Sequence, residues 1–138
     1  MKKKNLIGIL LTPVLFAAAS LAFGQSLSAT QQQDLLYMRE EEKLARDVYE
    51  YFYSTWSLPI FKNIAVSEQR HMDAVLVLLN QYGLSDPVAL NPRGVFTDSS
   101  LQALYQSLIA QGSDSATSAL NVGILIEETD INYLETAI

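Results

Sequence analysis

Four residues able to ligate a metal fall where this chain's helical periodicity asks for apolar side chains: Glu42, Glu68, His71 and Glu127. The first stretch reads Leu35, Met38, Glu42, Ala45, Tyr49, Phe52, Trp56 in steps of three and four. A second reads Phe61, Ile64, Glu68, His71, Val75, Leu78, and a third Leu120, Ile124, Glu127, Ile131, Leu134, Ile138. Such spacing keeps one face inward along a packed helix. A carboxylate on that face must find a cation or lose its charge, because an isolated buried charge is costly. Three carboxylates and one imidazole converging from three helices therefore predict a metal as the cation.

Glu68 and His71 form the sharpest pair. Residues three apart on a helix are neighbours, so both can reach one ion. Bundles that hold two metals with carboxylates use this Glu-x-x-His spacing on two helices and a lone Glu on the other two. Standing alone the pair is a weak signal, and a surface ion pair or a hydrogen-bonded core histidine explains it as well. The chain's layout strengthens it. The midpoint between Glu42 and the Glu68/His71 pair falls near Thr55–Trp56, beside a break at Ser57-Leu58-Pro59. An antiparallel pair folded there brings Glu42 level with Glu68 and His71 to within roughly one helical turn. The rival reading of Glu42 is a solvated acid in the run Glu40-Glu41-Glu42, paired with Arg46 four residues on. Glu40 and Glu41 are assigned to the surface. Asp130, three residues after Glu127, is a further candidate ligand whose rival reading is an exposed acid. Glu128 is the solvent-facing neighbour. Tyr49, two turns beyond Glu42 on the same face, either hydrogen-bonds a ligand or serves as core.

These residues need elements to position them. The first helix is expected from near Gln33 to Ser54, the second from the Ser57-Leu58-Pro59 break to Tyr82, with Gly83 as its stop. Turn signals follow at Ser85-Asp86-Pro87 and Asn91-Pro92-Arg93-Gly94. Asp98 or Ser99 caps a short helix over Leu101–Ala110, and a last helix starts near Ala116. No stretch reads as a strand, so the class is all-α. The long connection between the second and the last helix lets those two run parallel, as in bundles with one crossover.

Composition narrows the function. The chain has 138 residues, a formal charge of −6, one histidine and no cysteine. That acidity argues against nucleic acid as a partner. There is no phosphate-cradling glycine loop and no Gly-x-Ser-x-Gly elbow. Met1-Lys2-Lys3-Lys4 followed by an apolar run from Leu6 to Phe23 reads as a signal peptide over residues 1–24, with cleavage before Gln25. An uncleaved segment would instead anchor the chain, which is the only membrane contact expected. The expected location is outside the cytoplasm, periplasmic or extracellular. Residues 25–32 read as a polar linker and 33–138 as one domain. Without cysteine, no disulfide framework holds it.

The stretches Arg39-Glu40-Glu41-Glu42-Lys43-Leu44-Ala45-Arg46-Asp47-Val48-Tyr49 and Asn63-Ile64-Ala65-Val66-Ser67-Glu68-Gln69-Arg70-His71-Met72-Asp73-Ala74-Val75 closely resemble the first two helices of a bacterial ferritin-like family, the domain of unknown function 2202. Tyr82-Gly83-Leu84-Ser85-Asp86-Pro87, Leu101-Gln102-Ala103-Leu104-Tyr105 and Gln111-Gly112-Ser113 look like its crossover. Gly123-Ile124-Leu125-Ile126-Glu127-Glu128-Thr129-Asp130-Ile131 looks like its third bundle helix. The wording Glu42-x-x-Ala45-x-x-x-Tyr49 and Ile64-Ala65-x-x-Glu68-x-x-His71 is also similar to rubrerythrin-type peroxidases. The resemblance implies a ferritin-like bundle, ligand roles for Glu42, Glu68, His71 and Glu127, and a site for two divalent cations, iron or manganese. It also implies a fourth bundle helix with a second histidine, whereas this sequence runs to Thr136-Ala137-Ile138 in mid-helix. A fragment or a truncated reading frame is the expectation, and with it loose packing or self-association into a homo-oligomer. The functional expectation is an exported di-metal protein that oxidises iron or reduces peroxide or dioxygen. The alternative is a non-enzymatic exported module that binds metal or a protein partner.

Overall fold

The computed structural model describes residues 26–137, with side chains through Glu128. The expected signal segment, Ile138 and the side chains of Asp130, Ile131 and Leu134 lie outside what is described. Four helices make up the described chain: α1 (Ala29–Trp56), α2 (Pro59–Gln81), α3 (Ser99–Gly112) and α4 (Ala116–Ala137). None among the described residues is long and apolar enough to cross a membrane. The all-α class holds.

Helix α1 starts earlier than its apolar pattern suggests. Ser28 accepts from the Gln31 backbone N–H, and the Gln31 side chain accepts in return from the Ser28 N–H. This reciprocal cap satisfies two donors that the first turn leaves orphaned. It draws Ala29–Gln32 into the helix, so the expected linker over 25–32 ends at Ser28. At the other end Ser57 adopts a left-handed conformation, φ 55°, and closes α1 through its N–H to the Tyr53 carbonyl. Pro59 then opens α2 at a position where its missing N–H costs nothing. Only Ser57 and Leu58 separate the two helices, which makes them antiparallel neighbours.

α1 is the central element, packed on α2, α3 and α4. Its Leu44, Val48, Tyr49 and Phe52 are fully buried and meet Phe61 and Ala65 of α2, Leu101 and Leu108 of α3, and Ala119, Val122 and Ile126 of α4. Glu40 meets the start of α3 while Trp56 meets its end, so α1 and α3 run parallel. Tyr49 reaches the middle of α4, which runs back antiparallel to α1 and hence parallel to α2. Phe52 lies so close to Gly112 that a Cβ there would stand 2.1 Å from its ring. That glycine lets the end of α3 close over the aromatic core.

Two expected faces differ. On α4 the buried stripe is Ala119, Val122 and Ile126, while Leu120 and Ile124 of the expected seam are 39% and 55% exposed. Small Ala119 and Gly123 let the α4 backbone approach α1 closely, and that approach outweighs burial of the larger residues on the next face. On α1, Glu40 and Glu41 are not at the surface: they are 5% and 2% exposed. The crossover between Tyr82 and Asp98 folds back over Glu40, whose carboxylate accepts from the Thr97 and Asp98 N–H groups.

Candidate metal centre

Equal arms of the α1–α2 hairpin set the site. Glu42 and His71 lie about the same number of residues from the Ser57–Leu58 turn, and their side chains meet. His71 Nδ1 lies 3.3 Å from Glu42 Oε2 and 2.9 Å from Glu68 Oε2. One ligand atom from each of Glu42, Glu68 and His71 lies within 4.8 Å of the other two. Glu42 is buried, the Glu68 side chain is 12% exposed, and the His71 side chain is 43% exposed. The group thus has a closed side against α1 and an open side at the imidazole.

Electrostatics in this corner centre on Glu68. Burial pushes the Glu68 carboxyl above its ordinary value; His71 pulls the other way by charge and hydrogen bond, as does a hydrogen bond with Glu42, and the charge of Glu127 pushes it up again. Burial prevails, so Glu68 holds a proton more readily than a free carboxylate does. A divalent ion would displace that proton and satisfy both acids. Two carboxylate oxygens and one imidazole nitrogen, with no thiolate, form a hard donor set suited to manganese, ferrous iron or zinc.

Glu127 arrives from α4 at the edge of this group rather than within it. It is exposed, and Tyr49 donates a 2.7 Å hydrogen bond to its Oε1. The Tyr49 hydroxyl also lies 3.3 Å from the Gly123 carbonyl. Glu127 is therefore close enough to act on Glu68, but among the described residues it is Glu42, Glu68 and His71 that are drawn into mutual reach. Glu128 is exposed as expected.

Sequence reading missed the other half of α1. Arg46 does not pair with Glu42; its guanidinium donates to Asp47 Oδ1 and Gln69 Oε1. Lys43 Nζ, 1% exposed, donates to Asp47 Oδ2 at 2.5 Å and to the Pro92 carbonyl at 2.9 Å. Asp47 accepts in addition from the Gly94 N–H. Gly94 sits at φ +76°, a conformation that favours glycine, with the Tyr105 ring against it. Arg39 donates to both oxygens of Asp86 and to the Met72 carbonyl. Burial pushes Asp86 up, but bonds from Arg39 and the Val88 N–H outweigh it and hold the carboxyl below its usual range. Glu40 accepts from the N–H groups of Thr97 and Asp98. These contacts fasten the crossover and carry no sign of a ligand. The one signal for them in the sequence was charge on every side of a helix, which ordinary amphipathic reading assigns to solvent.

The fold and site define an all-helical protein in which two helices bring a carboxylate–imidazole group together. A family profile described as an uncharacterized protein domain, DUF2202, matches residues 31–138. An uncharacterized protein of the archaeon Methanocaldococcus jannaschii, MJ0754, is 50% identical over 111 residues, 80% of this chain and 60% of its own length. The crystal structure of hypothetical protein MJ0754 from Methanococcus jannaschii matches with a TM-score of 0.76 at 50% identity, covering 81% of this chain and 64% of that one. This chain belongs to the DUF2202 family. It spans about 60% of the length of that archaeal relative, whose source also makes the bacterial label attached to the expected family too narrow.

Proposed function

We propose that this protein is a ferritin-like helical bundle that binds divalent cations, iron or manganese, through Glu42, Glu68 and His71, with Glu127 as an additional ligand. The observation that carries this is the meeting of three donor atoms within 4.8 Å across two helices. Among the described residues, the histidine set against the two acids there is His71. A second ion would require Glu127 and further acids of α4, among which Asp130 is the candidate.

A bound redox metal would supply one-electron chemistry toward peroxide or dioxygen. The chain's own residues do the rest. Glu42 and Glu68 supply anionic oxygens from a buried wall, His71 supplies nitrogen at the open side, and Tyr49 donates to Glu127 at the rim. The exposure of His71 leaves a path for a small oxidant. The same exposure suits a second reading, a non-enzymatic module that stores or senses metal. Peroxide-dependent oxidation of bound ferrous iron separates the two.

Metal content of the purified protein is the direct test. Elemental analysis is expected to show iron or manganese in the wild type, a marked loss in Glu68→Ala and His71→Ala, and no change in Glu128→Ala. Equal content in all four, or none in the wild type after anaerobic iron loading, would overturn the assignment. Export is a companion proposal resting on the lysine start and apolar run. Mass spectrometry of protein recovered outside the cytoplasm is expected to find an N-terminus at or near Gln25; intact Met1 confined to membranes would favour the anchor.

A further inference from the structure

Two arginines of α1 stand on either side of Glu42, Arg39 three residues before it and Arg46 four residues after. Spaced by two full turns, they share one face of the helix. Each reaches across to α2 beside a candidate ligand. Arg39 Nη1 donates to the Met72 carbonyl at 2.7 Å, one residue beyond His71. Arg46 Nη1 donates to Gln69 Oε1 at 2.7 Å, one residue beyond Glu68. The two guanidinium groups are aimed in the same way. Asp86 accepts from Arg39 Nε and Nη2 at 3.2 and 2.8 Å, and Asp47 accepts from Arg46 Nε and Nη2 at 3.0 and 2.7 Å. In both, a carboxylate occupies two nitrogens of the fork and leaves the third for α2. The Arg39 side chain is 7% exposed, so its bond to the carbonyl is charge-assisted and largely dry.

Apolar packing between the helices, such as Phe52 on Phe61, is non-directional and sets their register less sharply than directed bonds do. Pinned at residues 69 and 72, α2 cannot turn about its axis or slide along α1 without breaking a bond to a charged group, and His71 lies between the two points. Resting on the metal-site reading above, we propose that Arg39 and Arg46 are positioning residues for the metal centre: paired clamps that hold α2 where Glu68 and His71 meet Glu42. Neither supplies a ligand atom. Free positive charge so near the group would oppose a cation, and the carboxylates of Asp86 and Asp47 offset it. Groups that orient metal ligands from outside typically carry a 10–100-fold share of affinity.

The test titrates Mn²⁺ into wild type, Arg39→Lys, Gln69→Ala and the double variant, well below their melting temperatures. Electron paramagnetic resonance counts the free ion and reads the symmetry of the bound one. Lysine keeps the charge but lacks the fork that spans Asp86 and Met72. Gln69→Ala removes the anchor of Arg46 and leaves that arginine paired with Asp47. The expected result is a Kd weakened about 10-fold in the double variant, with a changed signal from the bound ion. Glu40→Ala, which loosens the crossover, and Asp73→Ala, which removes the other partner of Gln69, are expected to leave both unchanged. A wild-type Kd and signal in the double variant overturn the proposal and leave the site reading standing. Equal weakening in Glu40→Ala or Asp73→Ala also overturns it, since the effect would then be general loosening. No Mn²⁺ bound by the wild type fails the site reading itself. Should the variants carrying Arg39→Lys not fold, Gln69→Ala alone decides, and an unchanged Kd and signal there overturn the proposal.

Discussion

Two sets of buried charge lie on α1, on either side of one run of residues. Arg39, Glu40, Lys43 and Asp47 face the crossover; Glu42 faces α2 with Glu68 and His71. In the first set each acid is matched by the chain itself: Asp47 by Lys43, Arg46 and the Gly94 N–H, Glu40 by two backbone N–H groups. In the second, Glu42 and Glu68 both meet the imidazole of His71, and burial raises the Glu68 carboxyl above its ordinary value. The lesson is that burial alone does not mark a site. A buried acid with its own lysine fastens the fold, whereas acids drawn together with a histidine across two helices form a group that could hold an ion.

This contrast is easiest to break at Asp47. Asp47→Ala leaves Lys43 buried without its carboxylate, a situation that typically costs about 3–5 kcal/mol. Since whole domains are stable by roughly 5–15 kcal/mol, urea denaturation is expected to show a severe loss, and metal content per folded chain should not change. A wild-type-like midpoint would show that the crossover set contributes nothing to stability.

The opposite behaviour is expected on the other side. Mn²⁺ or Fe²⁺ at about 100 times its Kd should stabilise the wild type by about 2.7 kcal/mol. Thermal melts read this as a rise in Tm that is absent in Glu68→Ala. Glu40→Ala sharpens the comparison, because it changes a residue only two places from Glu42. Removing its charge-assisted bonds to the Thr97 and Asp98 N–H groups should cost about 1.5–3 kcal/mol while the metal-induced rise in Tm persists. Loss of that rise in Glu40→Ala would merge the two sets into one.

The smallest effect concerns protons. Because burial raises the Glu68 carboxyl above its ordinary 4.5, the folded state takes up a proton more readily than the unfolded one. Its contribution to metal-free stability is therefore present below pH 4.5 and is lost as pH rises through the higher folded value. Glu68→Gln removes this dependence and should match or exceed the wild type near neutrality in urea titrations without metal. Metal binding has the opposite slope, since the ion must displace the proton, so affinity should grow with pH. A metal-free wild type that gains stability across this range as pH rises would contradict the direction assigned to Glu68.

Periodicity made the hairpin legible. The steps of three and four found the buried face of α1, and the symmetry of Glu42 and His71 about the Ser57 break found the group they form. The rest depended on information that spacing does not carry. Glu40 is buried because the backbone at Thr97–Asp98 returns to it, a contact between residues 57 apart in sequence. Nothing in Arg39-Glu40-Glu41-Glu42-Lys43 distinguishes the acid that meets α2 from the one that meets the crossover. On α4 the stripes Leu120/Ile124 and Ala119/Val122/Ile126 are both apolar, so hydrophobicity cannot choose between them. The choice fell to side-chain size, through the close approach that Gly123 allows to Tyr49.

The two-residue turn at Ser57–Leu58 works as a ruler. Each residue inserted between it and Glu68 would advance Glu68 and His71 by 1.5 Å and swing them through 100° about the α2 axis, so one insertion parts His71 from Glu42 and three or four restore the facing one turn out of step. Residues added within the Tyr82–Asp98 crossover carry no such penalty for the ligand group, because neither arm of the hairpin passes through it. Length is thus strictly fixed between Glu42 and His71 and negotiable along the crossover, and chains descended from a common sequence with this group should differ in length at the crossover before they differ at the hairpin.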